Sequence, residues 1–203
     1  MKILTHFIAF ILGLIFFPII IYITIVVSPN LIPGLIQTAM HCAVSTDRGV
    51  ASLDKAKNEP ERFYALGDAA KEAFSDGKFS EAQQYANELS ILTPKFKGNW
   101  NYGNAVQDSN LILGRIALKE GNIEKAKGHL IEAGKSPGSP QMDTFGPNMS
   151  LAKDLLEKGE KETVIEYLTL CKSFWEMNDG RLDEWIVLVK ADRIPNFGAN
   201  LRY

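Results

Sequence analysis

Residues 110–134 read NLILGRIALKEGNIEKAKGHLIEAG. Apolar residues recur at three- and four-residue spacing on both sides of Gly121, the mark of two amphipathic helices joined by a glycine turn. The same arrangement returns around Gly77 and Gly159. Eight, seven and four residues before the three glycines stand Ala69, Leu113 and Leu151; Ala70, Gly114 and Ala152; and Ala73, Ala117 and Leu155. Five, nine and twelve residues after them stand Ala82, Ala126 and Val164; Ala86, Leu130 and Leu168; and Leu89, Ala133 and Cys171. Each unit therefore predicts a helix hairpin, and the small residues fall where two helices must approach closely.

Residues 63–94, FYALGDAAKEAFSDGKFSEAQQYANELSILTP, and residues 110–134 resemble the tetratricopeptide repeat. Leu113, Gly114, Gly121, Ala126 and Ala133 match that family's usual residue types, and Pro94 and Pro137 close the first two units. Residues 149–175 form a third unit that departs by carrying Val164 and Cys171 where alanine is usual. Glycine spacings of 44 and 38 exceed the repeat's roughly 34 residues, and the excess falls in two inserts between units. The second insert also resembles a stretch of uncharacterised bacterial repeat proteins, which carries no activity with it. The fold class implied is all-α: a short solenoid of about three hairpins at 61–178 (61–94, 107–137 and 148–175), then a capping helix and tail at 179–203. Leu182, Trp185, Ile186 and Val189 give the capping helix one apolar face, and the closing IPNFGANLRY reads as an extended tail folded back over the last repeat. Locally, Pro60 suits a first helical turn, Ser80 an N-cap, and Gly77 a left-handed helix end.

Ahead of the repeats the composition changes. No Asp, Glu, Lys or Arg occurs between Lys2 and Asp47, while the chain as a whole is 46% apolar with a net charge of −2. Residues 3–27 are broken only by Thr5, His6, Gly13, Pro18 and Thr24, long enough to cross a hydrocarbon core of about 30 Å. A cleaved signal peptide has a shorter apolar region and a small-residue cleavage site, whereas here Ser28 is followed by Pro29. Residues 1–30 thus read as an uncleaved transmembrane anchor. Residues 31–60 read as a Pro/Gly-broken interfacial segment and a polar tether able to become helical before the next element. Lys2 favours a cytoplasmic amino terminus, which places the repeats outward, in the periplasm if the source is bacterial.

Candidate sites follow from the repeat register. Six residues before each glycine stand Lys71, Arg115 and Lys153, a basic ladder along the first helices suited to a carboxylate-bearing or acidic peptide; the alternative is a solvated position tolerant of lysine. The inserts bring Trp100 and Tyr102 with Asn99, Asn101 and Asn104, and Phe145 with Gln141, Asp143 and Asn148. Long aromatic loops are either binding surfaces or lids packed on a groove, and both readings stand at this point.

Catalytic signatures do not assemble. Gly134-Lys135-Ser136 has no glycine at phosphate-loop spacing and ends a helix rather than following a strand. His129 lacks a partner at recognisable spacing, Cys171 sits in a core register, and His41-Cys42 is an isolated pair. No cofactor and no metal site is implied, and three His, two Cys and a near-neutral charge leave no basic footprint for nucleic acid. The function expected is a non-catalytic, membrane-anchored adaptor that binds a protein or peptide in a concave groove. A structural subunit of a membrane complex is the alternative, and an enzyme with an unrecognised site is a third reading.

Overall fold

The computed structural model describes residues 48–202. The anchor, the interfacial segment, His41-Cys42 and the orientation argument lie outside the described residues. Within them the fold is all-α. No helix there is long and apolar enough to cross a membrane.

The helices are α1 (Arg48–Lys55), α2 (Glu59–Ser75), α3 (Phe79–Leu92), α4 (Tyr102–Lys119), α5 (Ile123–Gly134), α6 (Pro140–Phe145), α7 (Ser150–Leu156), α8 (Lys161–Cys171) and α9 (Arg181–Lys190). Short 3-10 turns occupy Thr93–Phe96, Glu176–Asn178 and Gly198–Leu201. Three hairpins, α2/α3, α4/α5 and α7/α8, turn at Gly77, Gly121 and Gly159, whose φ values are +77°, +80° and +86°. A Cβ at any of the three would meet open space, so backbone conformation, not crowding, is what calls for glycine there. All three turns close with the same pair of hydrogen bonds. Lys78 N donates to Ala73 O, Asn122 N to Ala117 O and Glu160 N to Leu155 O, and each glycine N–H donates to the carbonyl three residues back. This is the Schellman closure, which satisfies carbonyls that a helix end would otherwise leave unpaired.

Every position aligned on the three glycines is buried, from Ala69 and Ala70 in the first unit to Leu168 and Cys171 in the third. Gly114 shows why small residues recur there. A Cβ on it would stand 2.3 Å from Leu151 Cδ2 and 3.0 Å from His129 Cβ, so its bareness lets α4 seat against both α5 and α7. Trp175, Trp185 and Phe197 close the end of the stack, with ring centroids 5.7 and 4.9 Å apart, and tie α9 and the tail to the third hairpin.

The tether becomes helical ahead of α2, as its sequence allows, and three other features differ from expectation. Residues 48–55 of the tether are helical: Gly49 and Leu53 are buried against α2, and Glu72 accepts from Gly49 N (2.7 Å) and Val50 N (3.3 Å), capping the helix from across the interface. Asn58 caps α2 by accepting from Glu61 N, with Pro60 in the first turn. Ser80 lies inside α3 rather than capping it, because the Schellman turn delivers the chain directly into the helix. The second hairpin begins at Tyr102, five residues before the expected start at 107, and the tail ends in a 3-10 turn rather than extended.

The third hairpin is asymmetric. Its first helix, α7, has 7 residues against 17 and 18 in α2 and α4. The turns it lacks are replaced by α6 and the C-terminal tail. Docking them requires Gly103, where a Cβ would stand 1.8 Å from Gly138 O. Gly103→Ala is expected to destabilise by about 2–3 kcal/mol, as overpacking between fixed backbones does. Gly128→Ala, on an exposed part of α5 with open space at its Cβ, is expected to stabilise by about 0.5–1 kcal/mol. Denaturant unfolding of the two variants checks both signs.

Candidate functional site

The spacing of Tyr64, Gly67, Asp68 and Lys71 puts them on one stripe of α2, and Asn101, Asn104 and Asp108 continue that surface along α4. They form the near wall of a groove of about 800 Å³. Its far wall comes from the second insert (Gln141 to Asn148), from Arg181 at the start of α9, and from Asn200 and Arg202 in the tail.

The two inserts meet here. Asn99 Nδ2 donates to Tyr64 Oη (2.7 Å) and the Trp100 ring lies over Tyr64 at 6.0 Å, so the first insert is fastened to α2. Asn104 Nδ2 donates to Gln141 Oε1 (2.6 Å), and Ser139 Oγ donates to Asn104 Oδ1 (2.6 Å), fastening the second insert to α4. Asn200, buried in the tail, donates to Phe145 O (2.9 Å) and Pro147 O (3.0 Å) and its carbonyl accepts from Met149 N (2.7 Å). With polar atoms so engaged, the loop backbone is held in place while the aromatic faces stay open: Tyr64 is 43%, Trp100 55% and Phe145 74% exposed. Exposed rings held on a rigid frame bind with little loss of conformational entropy.

Lys71, Trp100 and Phe145 line the groove; Arg115, Lys153 and the half-buried Tyr102 are not in its lining. Lys71 is shared by Asp68 (2.8 Å) and Asp108 (3.1 Å). Burial alone would lower its pKa, but the two carboxylates outweigh that and hold the ammonium charged well above its usual range. Burial raises the Asp108 carboxyl, against the pull of Lys71. Gly67 makes the pairing possible, since a Cβ there would stand 2.9 Å from Asp108 Oδ2. Arg115 binds Asp154 (2.8 Å) and covers the Phe74 ring at 4.5 Å. Lys153 pairs along its own helix with Glu157 (2.6 Å). Thus the first two cations of the register join consecutive first helices, Lys71 linking α2 to α4 and Arg115 linking α4 to α7.

Tyr64, Asp108, Arg181, Asn200 and Arg202 were not among the sequence candidates. The four-residue stripe on α2 is a readable signal for Tyr64 and Asp68. The arginines and Asn200 reach the groove only through the fold of the tail and cap. The residues that mimic enzyme motifs are structural: Ser136 Oγ donates to Gly103 O (2.9 Å) and accepts from Gly138 N (3.1 Å), and burial pushes the Cys171 thiol far above its usual range. His129 Nδ1 lies 2.9 Å from Asn110 Oδ1, and burial, then Lys125, lowers its proton affinity. Among the described residues no cluster of His, Cys, Asp and Glu could hold a metal ion.

Comparison of the chain with family models, with curated proteins and with solved structures finds no match in any of the three.

Two measurements check this account of the charged groups. A double-mutant cycle on Arg115 and Asp154 is expected to give a coupling of about 1 kcal/mol, while the Lys153 and Glu157 cycle gives a smaller one. For His129 the folded state resists a proton that the unfolded chain accepts as pH falls through about 6.5, so the stability present above that pH is lost below it. The melting temperature is expected to fall more in the wild type than in His129→Gln between about pH 7.5 and 5.5.

Proposed function

We propose that this chain is a non-catalytic, membrane-anchored adaptor of tetratricopeptide type, which holds a peptide segment of a partner protein in the groove between α2, α4 and the second insert. The observation that carries the reading is the set of exposed rings, Tyr64, Trp100 and Phe145, held around one groove by loops whose own polar atoms are already bonded. A volume of about 800 Å³ lies within the roughly 300–1,000 Å³ usual for binding clefts, and aromatic side chains at the centre of an interface supply most of its binding energy. Three hairpins closed by the same glycine turn support the repeat assignment. The charge-free residues 3–27 support the anchor, which would raise the effective concentration of the groove for partners at the same membrane.

Among the described residues, the tail lines the groove with Ala199, Asn200 and Arg202 and does not fill it. That favours an adaptor over a structural subunit whose groove is filled by its own tail. In full-length protein purified in detergent, Trp100→Ala combined with Phe145→Ala is expected to cut groove-directed crosslinking to partner peptides about tenfold while helical content stays as in the wild type. Partner recovery equal to the wild type would overturn the groove as the binding site.

A further inference from the structure

The two walls of the groove carry opposite charge. On the near wall Lys71 serves both Asp68 and Asp108, so the three groups sum to one negative charge. Asp68 keeps 72% of its side chain exposed and can meet a ligand directly. On the far wall the described lining residues include Arg181 and Arg202 and no carboxylate. Arg181 is held firmly: its guanidinium lies 4.9 Å over the Trp175 ring, donates to Asn178 O (2.8 Å) and reaches Asp179 only at 3.5 Å. The Arg202 carbonyl is fixed by Asn148 Nδ2 at 3.1 Å, which sets that residue at the groove's edge. Trp100, stacked on Tyr64, and Phe145, in the second insert, add one exposed ring to each wall.

Resting on the groove reading above, we infer that the occupant is a peptide segment of split charge: a basic side chain set against Asp68 and Asp108, an apolar side chain between Trp100 and Phe145, and a carboxylate set against Arg202 and Arg181. This differs from the acidic ligand suggested by a lysine and arginine ladder, because the fold pairs those cations with its own carboxylates. An all-acidic segment would bring like charge against Asp68 and Asp108 in a partly desolvated floor, and an all-basic one would do the same against the arginines; each arrangement is penalised. Burial that lifts the Asp108 carboxyl points the same way, since an added cation would compensate a site in which one lysine serves two acids. Tyr64 and Trp100 beside Asp68 add ring faces that attract a guanidinium or ammonium group.

The test uses full-length protein in detergent and fluorescein-labelled synthetic peptides of about eight residues, about 26 Å when extended, all with a central phenylalanine. One set carries arginine in one half and glutamate in the other, in both orders; the other sets are all-glutamate, all-arginine and all-serine in the flanks. Split-charge peptides of at least one order are expected to bind about tenfold tighter than any uniform set at low salt, with the gap closing near 0.5 M salt. Asp68→Asn is expected to weaken the split-charge peptides about threefold and Arg202→Ala to do the same, with all-serine peptides unaffected by either. All-glutamate peptides that bind as tightly as the split-charge set, and that are released by Trp100→Ala, would overturn the charge inference and leave the groove reading standing. Absence of binding by every set, with Trp100→Ala equal to the wild type, would overturn both.

Discussion

The three left-handed glycines, Gly77, Gly121 and Gly159, are the constraint from which the rest of the fold follows. Each ends one helix and starts the next within a few residues, through the same two hydrogen bonds, so the chain reverses direction by the same local device each time. An L-residue with a side chain rarely adopts φ near +80°, and a longer turn would let the hairpin splay. Once the turn is set, the residues at fixed offsets from each glycine must face one another. Alanine and Gly114 at those offsets allow helices to approach, while the larger Leu151, Leu155 and Val164 fill the third unit.

Stacking of the hairpins is reinforced by ion pairs that share a register. Lys71 reaches Asp108 and Arg115 reaches Asp154, each crossing from one first helix to the next. Lysine and arginine were expected at those positions as ligands for a partner. Their repetition is explained equally well by the need to join neighbouring units, and the carboxylates that receive them stand at offsets the glycine alignment does not highlight. Lys71 joins two units and, together with Asp108, also lines the groove.

The groove exists because the third unit is incomplete. With α7 cut to about two turns, the second insert and the tail stand beside it, and they bring Phe145, Asn200 and Arg202 into the same groove as Tyr64 and Trp100. Gly103 lets the insert lie against α4 at backbone distance, Gly138 leaves room for Phe174, and Asn104 binds the insert through Gln141 and Ser139. The inserts were legible in the sequence as aromatic, amide-rich interruptions of the repeat. Their meeting was not, since Asn104 and Gln141 come together only once the α4/α5 hairpin that separates them in the chain has folded back on itself.

By itself the sequence determined what depends on neighbours a few residues apart: the helices, the glycine turns, the buried face of each unit, and the capping helix with its Leu182, Trp185, Ile186 and Val189 stripe. These are local because a helix has a fixed period and a left-handed turn has few eligible residues. Only the tertiary structure decided which charges are paired within the fold, because an ion pair between Lys71 and Asp108 or Arg115 and Asp154 joins residues more than thirty apart. It likewise decided which aromatics stay open, since Trp100 and Phe145 are held in place by hydrogen bonds on either side of them, while Phe197, no different in composition, is buried against Trp185. Side-chain chemistry is written residue by residue, but whether it is spent inside the fold or presented at its surface is set by what the chain brings next to it.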